Sequence, residues 1–151
     1  MRVHVVSDVH GRTDALAAAA DGADAFLCLG DLLLFVDYAD HRQGIFPGLF
    51  GAEAARQYIE LRTAQVAAVG EVDVLWAHIP PAVPELLFDT VAQRMERGSD
   101  ELLAAIQRTQ PRYALFGHVH QPLASRIRIG DTECVNVGHF RATGRPFVLE
   151  W

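Results

Sequence analysis

The most constraining stretch is Phe116-Gly117-His118-Val119-His120. The apolar run Tyr113-Ala114-Leu115-Phe116 reads as a buried strand. Gly117 lets the backbone turn sharply after it. Two imidazoles follow at i and i+2 before Pro122 excludes a helix. Neutral imidazole is the commonest protein metal ligand. Alone, the pair reads equally well as two polar loop histidines. Three other apolar runs in the chain also end in ligand-type residues, and that shifts the balance.

Arg2–Ser7 is a β-branched strand running into Asp8-Val9-His10-Gly11. Thr13 or Asp14 is placed to cap a short helix through the alanines at 17–20, which Asp21-Gly22 ends. Ala25–Leu29 is a second strand, closing on Gly30-Asp31. Strand, helix, strand is the unit of a parallel sheet, and ligands bind past the carboxyl ends of such strands.

Leu32 to Val36 is apolar, Asp37, Asp40 and His41 form a polar cluster, and Gly44, Pro47 and Gly48 mark a loop. Residues 52–69 are helical in composition, with Tyr58, Leu61, Gln65, Val66 and Val69 near helical spacing. Residues 72–77 form a third strand that delivers His78 into a stiff Pro80-Pro81-Ala82-Val83-Pro84 loop. Val91 and Met95, at i and i+4, suggest a short helix over 89–97, and Ser99 is a cap for the next helix. After Pro122 the pattern alternates. Residues 123–129, 132–137 and 147–150 read as an antiparallel meander on the parallel layer.

The 151 residues predict one domain, 1–151. The net charge of −6 argues against a nucleic-acid module, which would carry a basic face. No apolar run is long enough to span a bilayer. Cys28 and Cys134, each inside an apolar run, read as reduced core residues, and Met1-Arg2 leads straight into a strand, so the expectation is a cytoplasmic protein.

Asp8, His10, Asp31, His78, His118 and His120 thus arrive from four strand ends. Mixed imidazole and carboxylate donors suit Mn, Fe or Zn. Two such ions can clamp the attacking and leaving oxygens of a phosphoryl displacement, with hydroxide as nucleophile.

Asp8-x-His10, Gly30-Asp31, His78, Gly117-His118-x-His120 and Asn136-x-Gly138, in this order, resemble the signature of the calcineurin-like metallophosphoesterases, notably small bacterial, actinobacterial-type members. The resemblance implies an α/β/β/α sandwich of two stacked mixed sheets. It implies that Asp8, His10, Asp31 and His120 hold one metal, and that Asp31, His78 and His118 hold another, with Asp31 bridging. Asp31, His78 and His118 then carry the catalysis, and Asn136 lies on the substrate side. His139, where the family usually has serine, and Arg141 are candidate phosphate contacts on their own chemistry. Small phosphomonoesters or phosphodiesters are the implied substrates, and two divalent transition metals the cofactors.

The family's Gly-Asn pair, whose asparagine ligates the second metal, is missing, and the sole asparagine is Asn136. Gly70-Glu71 has only a superficial likeness, at the wrong end of the His78 strand. Asp37, Asp40 or His41 could substitute. A strand–loop segment between residues 32 and 72 is therefore read as lost. The expected results are a weaker second metal, no histidine to protonate the leaving group, and apolar edges that invite rearrangement, homo-oligomerisation or marginal stability. The rival readings are a degenerate scaffold of the same fold that binds a partner protein, and a shortened chain with no settled function.

Overall fold

The computed structural model describes residues 1–32 and 42–150. Asp37, Asp40 and His41 lie outside the described residues. Two sheets carry the architecture. In the first, β1 (Arg2–Val6) sits between β2 (Ala25–Cys28), parallel to it, and β9 (Phe147–Glu150), antiparallel. In the second the order is β3 (Val74–Trp76), β6 (Tyr113–Phe116), β8 (Thr132–Asn136), β7 (Arg126–Ile129). There β3, β6 and β8 run parallel and β7 antiparallel.

Side-chain alternation along each strand builds three apolar layers. Val5, Leu115, Val135 and Leu149 meet between the sheets. Val6, on the other face of β1, packs outward with Val9, Ala19 and Phe140. Ala114, Phe116 and Cys134 face outward from the second sheet onto α5 (Asp100–Thr109), which contributes Leu102, Ala105 and Ile106. Those three sit at helical spacing on one face of α5. Ser99 starts the helix by accepting the Leu102 N–H at 3.0 Å. This is the expected two-sheet sandwich with helices outside. Both cysteines are free thiols, with Cys134 buried and Cys28 partly so. His4, inside β1, bonds the Ala19 carbonyl through Nδ1 at 2.8 Å and is structural.

Several sequence expectations give way. A 3-10 turn, Thr13–Ala15, leads into α1 (Leu16–Ala20), and neither Thr13 nor Asp14 caps it through its side chain. The loop marked by Gly44, Pro47 and Gly48 contains α2 (Ile45–Phe50); Pro47 falls in the first turn, where a missing N–H costs nothing. In α3 (Ala52–Ala67) the buried residues are Ala55 and Ile59, while Leu61 is exposed.

The helix expected over 89–97 is a tight hairpin of β4 (Phe88–Asp89) and β5 (Arg94–Met95), placed after the short α4 (Pro84–Leu87). Asp89 explains it. Its Oδ1 accepts the N–H groups of Val91 and Ala92, each at 2.9 Å, and so holds a turn where an i, i+4 pair mimicked a helix. The C-terminal meander is also divided: β7 and β8 join the second sheet, whereas β9 crosses to the first after α6 (Phe140–Thr143). Among the described residues no strand lies between β2 and β3, so each of these is a sheet edge. No helix is long and apolar enough to cross a membrane among the described residues.

Candidate metal centre

The C-terminal ends of β1, β2, β3 and β6 meet at one rim, and backbone hydrogen bonds stitch their loops together. The His10 N–H donates to the Asp31 carbonyl at 2.8 Å, joining the loops after β1 and β2. The Gly117 N–H donates to the His78 carbonyl at 3.0 Å, joining those after β6 and β3. The His118 N–H then reaches across the two sheets to Asp8 Oδ2 at 2.9 Å.

Asp8 is the centre of this rim. It is 1% exposed. Its second oxygen, Oδ1, is buried and has no hydrogen-bond partner among the described residues. Three imidazoles face that oxygen through Nε2: His120 at 3.4 Å, His10 at 3.9 Å and His78 at 4.0 Å. Alongside, His10 and His120 hold their Nε2 atoms 3.3 Å apart, and His78 Nε2 lies 3.4 Å from Asp31 Oδ2. Ligands sharing one ion at metal bonds of about 2.0–2.2 Å stand roughly 3.0–3.5 Å apart at right-angled to tetrahedral openings. The His120–Asp8, His10–His120 and His78–Asp31 separations fall in that range, while His10 and His78 stand slightly farther from Oδ1. Donors gathered around an unsatisfied buried carboxylate oxygen fit a divalent cation. Asp8, His10 and Asp31 bring one ligand atom each within 4.8 Å of one another. His78 and His118 pack edge to face with ring centroids 5.3 Å apart, and neither joins a three-ligand group among the described residues.

Four ligand candidates adopt left-handed backbone: Asp8 (φ 57°), His10 (φ 46°), Asp31 (φ 49°) and His118 (φ 67°). The turn after β6 is therefore made by His118, and Gly117 serves a different need from the one its sequence position suggests. A Cβ on Gly117 would stand 2.0 Å from Ser7 Oγ and 2.5 Å from Asp8 Oδ2. Glycine is there so that the β6 loop can lie on the Asp8 carboxylate. Gly30 does the same for His78, whose ring lies 2.9 Å from where a Cβ would be.

The electrostatics follow from this crowding. Burial opposes ionisation of Asp8, but His120, His78, Ser7 and the His118 N–H together outweigh it and hold the carboxyl at about 2. The nearby Asp8 carboxylate raises the pKa of His120. Burial lowers those of His10 and His118, and proximity to His120 and to His78, respectively, adds to the effect.

The three residues read as substrate contacts are placed differently from one another. Asn136 is buried behind the loop. Its Nδ2 donates to the carbonyls of Val119 (2.9 Å) and Gly117 (3.3 Å), and its Oδ1 accepts the Gly138 N–H at 2.9 Å. Through these bonds Asn136 positions the histidine loop. Asn136→Ala is expected to cost about 3 kcal/mol, since it removes three bonds and strands buried carbonyls; a lowered urea midpoint with an unchanged m-value checks it.

His139 stacks on His120 with centroids 3.8 Å apart and rings 12° from parallel. Its ligand atom lies within 4.8 Å of those of His10 and His120. Rings so nearly parallel send their lone pairs side by side and not to a common point, so His139 buttresses His120. Burial, then His120, lowers the His139 pKa. Arg141 is exposed; its backbone N–H donates to the Asp8 carbonyl at 3.1 Å, and its charge reaches His10 and His139.

Two residues of the rim escaped the sequence reading. Ser7 Oγ lies 3.4 Å from His78 Nδ1 and steadies that ring with Nε2 inward. Asp89 Oδ2 accepts the Gln121 N–H at 3.3 Å, which fastens the β4–β5 turn beneath His120. Neither carries a signal at its own position, because a serine at a strand end and an aspartate in a turn are both commonplace. Glu71 is exposed at the entry to β3, at the other end of the strand from His78, and takes no part in the rim.

No curated protein matches the chain significantly. The model of the calcineurin-like phosphoesterase superfamily domain matches residues 1–148, which include every strand-end ligand described above. The order of the motifs, the two-sheet sandwich and that match agree: the chain belongs to the calcineurin-like phosphoesterase superfamily.

Proposed function

We propose that this rim binds divalent transition metals (Mn, Fe or Zn) and that the chain hydrolyses phosphomonoesters or phosphodiesters there. The observation that carries the reading is the buried, hydrogen-bond-free Asp8 Oδ1 facing the Nε2 atoms of His10, His78 and His120. Asp8, His10, Asp31 and His120 would hold one ion. Asp31, His78 and His118 would hold a second, more weakly, with no neutral oxygen from a Gly-Asn motif to complete it. Bound ions supply Lewis acidity toward the phosphate oxygens and toward the attacking water.

The protein's own groups do the rest. Asp31, at the boundary of the two clusters, sets their separation. Ser7 fixes the orientation of His78, and the Asp8 carboxylate fixes that of His120. Arg141 adds positive charge on the His139 side, where a phosphate anion would be held.

Turnover of bis(p-nitrophenyl) phosphate and of p-nitrophenyl phosphate with Mn²⁺, alongside a metal titration, tests the reading. Outer-shell changes alone cost about 10–100-fold in metal affinity or activity, so Asp31→Ala is expected to lose about 100-fold or more. Absence of turnover with Mn²⁺, Fe²⁺ and Zn²⁺, or an unaffected Asp31→Ala, overturns it. The incompletely gathered Asp31, His78 and His118 favour a second reading, a partner-binding scaffold that retains one ion; one bound metal with no turnover is its signature.

A further inference from the structure

Among the described residues, β2, β3, α3 and α5 border a cavity of about 490 Å³ whose lining reaches the rim. Leu29, Ile59, Val66 and Trp76 line it together with the charged Arg62 and Arg97, and Asp31 and His78 of the rim border it as well. Ligand pockets span about 300–1,000 Å³, so this one accommodates an aryl-sized group. Trp76 is the informative residue. It is a large aromatic at the end of an edge strand, 54% exposed, and stands two positions before His78. An indole with an open face beside a cation-binding rim suits a ligand that is anionic at one end and flat and apolar at the other.

We infer that the cavity receives the organic group of the ester, so that the chain selects phosphoesters bearing aryl-sized apolar groups over those of methyl or glycerol size. The phosphate end of this inference rests on the metal-dependent reading above; the selectivity rests on the cavity. The occupant follows from continuity: Asp31 and His78 belong both to the metal cluster and to the cavity lining. A phosphate held there points its organic group either into solvent or into this space, and burial of apolar surface favours the latter.

Calorimetric titration of the Zn²⁺-loaded full chain with phenylphosphonate and with methylphosphonate tests this, since neither is hydrolysed. Phenylphosphonate is expected to bind on the order of tenfold tighter or more, as for a hydrophobic pocket that distinguishes small apolar groups. Trp76→Ala is expected to bring the two within about threefold while leaving Zn²⁺ affinity unchanged, consistent with loss of the apolar contact alone. Val66→Phe, which narrows the cavity from the helix side, is a second variant with the same expected loss of preference and covers a failure of Trp76→Ala to fold. Equal affinities in the wild type, or a preference that survives the variants, overturn the inference and leave the metal reading intact. A chain that binds neither Zn²⁺ nor either phosphonate overturns both.

Discussion

Asp8→Asn is expected to lower metal affinity by on the order of 100-fold or more, beyond the range of an outer-shell change. The amide keeps the shape of the carboxylate but removes the charge on which His10, His78 and His120 converge. The same substitution has a pH signature in the metal-free protein. The folded-state pKa of Asp8 is depressed from 3.8 to about 2. A depressed carboxyl contributes stability that is present above its unfolded pKa and is lost as pH falls through the folded one. The shift corresponds to about 2 kcal/mol. The gap in unfolding free energy between wild type and Asp8→Asn should therefore shrink by about that amount between about pH 5 and pH 2. Urea unfolding of both proteins after chelation, at several pH values, measures it; a gap that does not change with pH refutes the assigned environment of Asp8.

Gly117→Ala is expected to be nearly as damaging although it removes nothing. The added methyl would stand 2.0 Å from Ser7 Oγ and 2.5 Å from both Ser7 Cβ and Asp8 Oδ2, on two short, buried side chains with little room to move away. Overpacking of this kind costs about 1–3 kcal/mol, occasionally more. Here relief means pushing Asp8 away from the imidazoles or lifting the His118–His120 loop. Both stability and metal affinity should fall, with the change in affinity read by titration well below the unfolding temperature. A variant that kept full affinity would show that the loop yields without disturbing the rim.

Much of the rim was legible because its chemistry is tied to strand ends. Short apolar runs locate β1, β2, β3 and β6, and a carboxylate or imidazole just past each run goes to the shared edge. What was not legible depends on contacts distant in sequence. Nothing in Leu123–Glu150 says that β8 pairs with β6 while β9 pairs with β1; that division comes from which sheet offers an open edge. Val91 and Met95 sit at helical spacing, yet Asp89 takes three backbone N–H groups and makes a hairpin. That Asn136 would hold the histidine loop from behind was not legible either, since its partners Gly117 and Val119 lie 17–19 residues away. The missing Gly-Asn pair before residue 72 was readable. That α3 would border a cavity reaching the rim was not, since that depends on where the helix lands.

The left-handed torsions at Asp8, His10, Asp31 and His118 have a consequence for how the protein behaves without its ions. Non-glycine residues held there cost on the order of 1 kcal/mol or more apiece. Four of them at one edge make that edge a wound spring, latched by the Asp8–His118 bond and by whatever cation the imidazoles and carboxylates grip. Withdraw the cation and the latch alone must hold, so loosening of the empty protein should begin at this corner while the β-sheet interior stays shut.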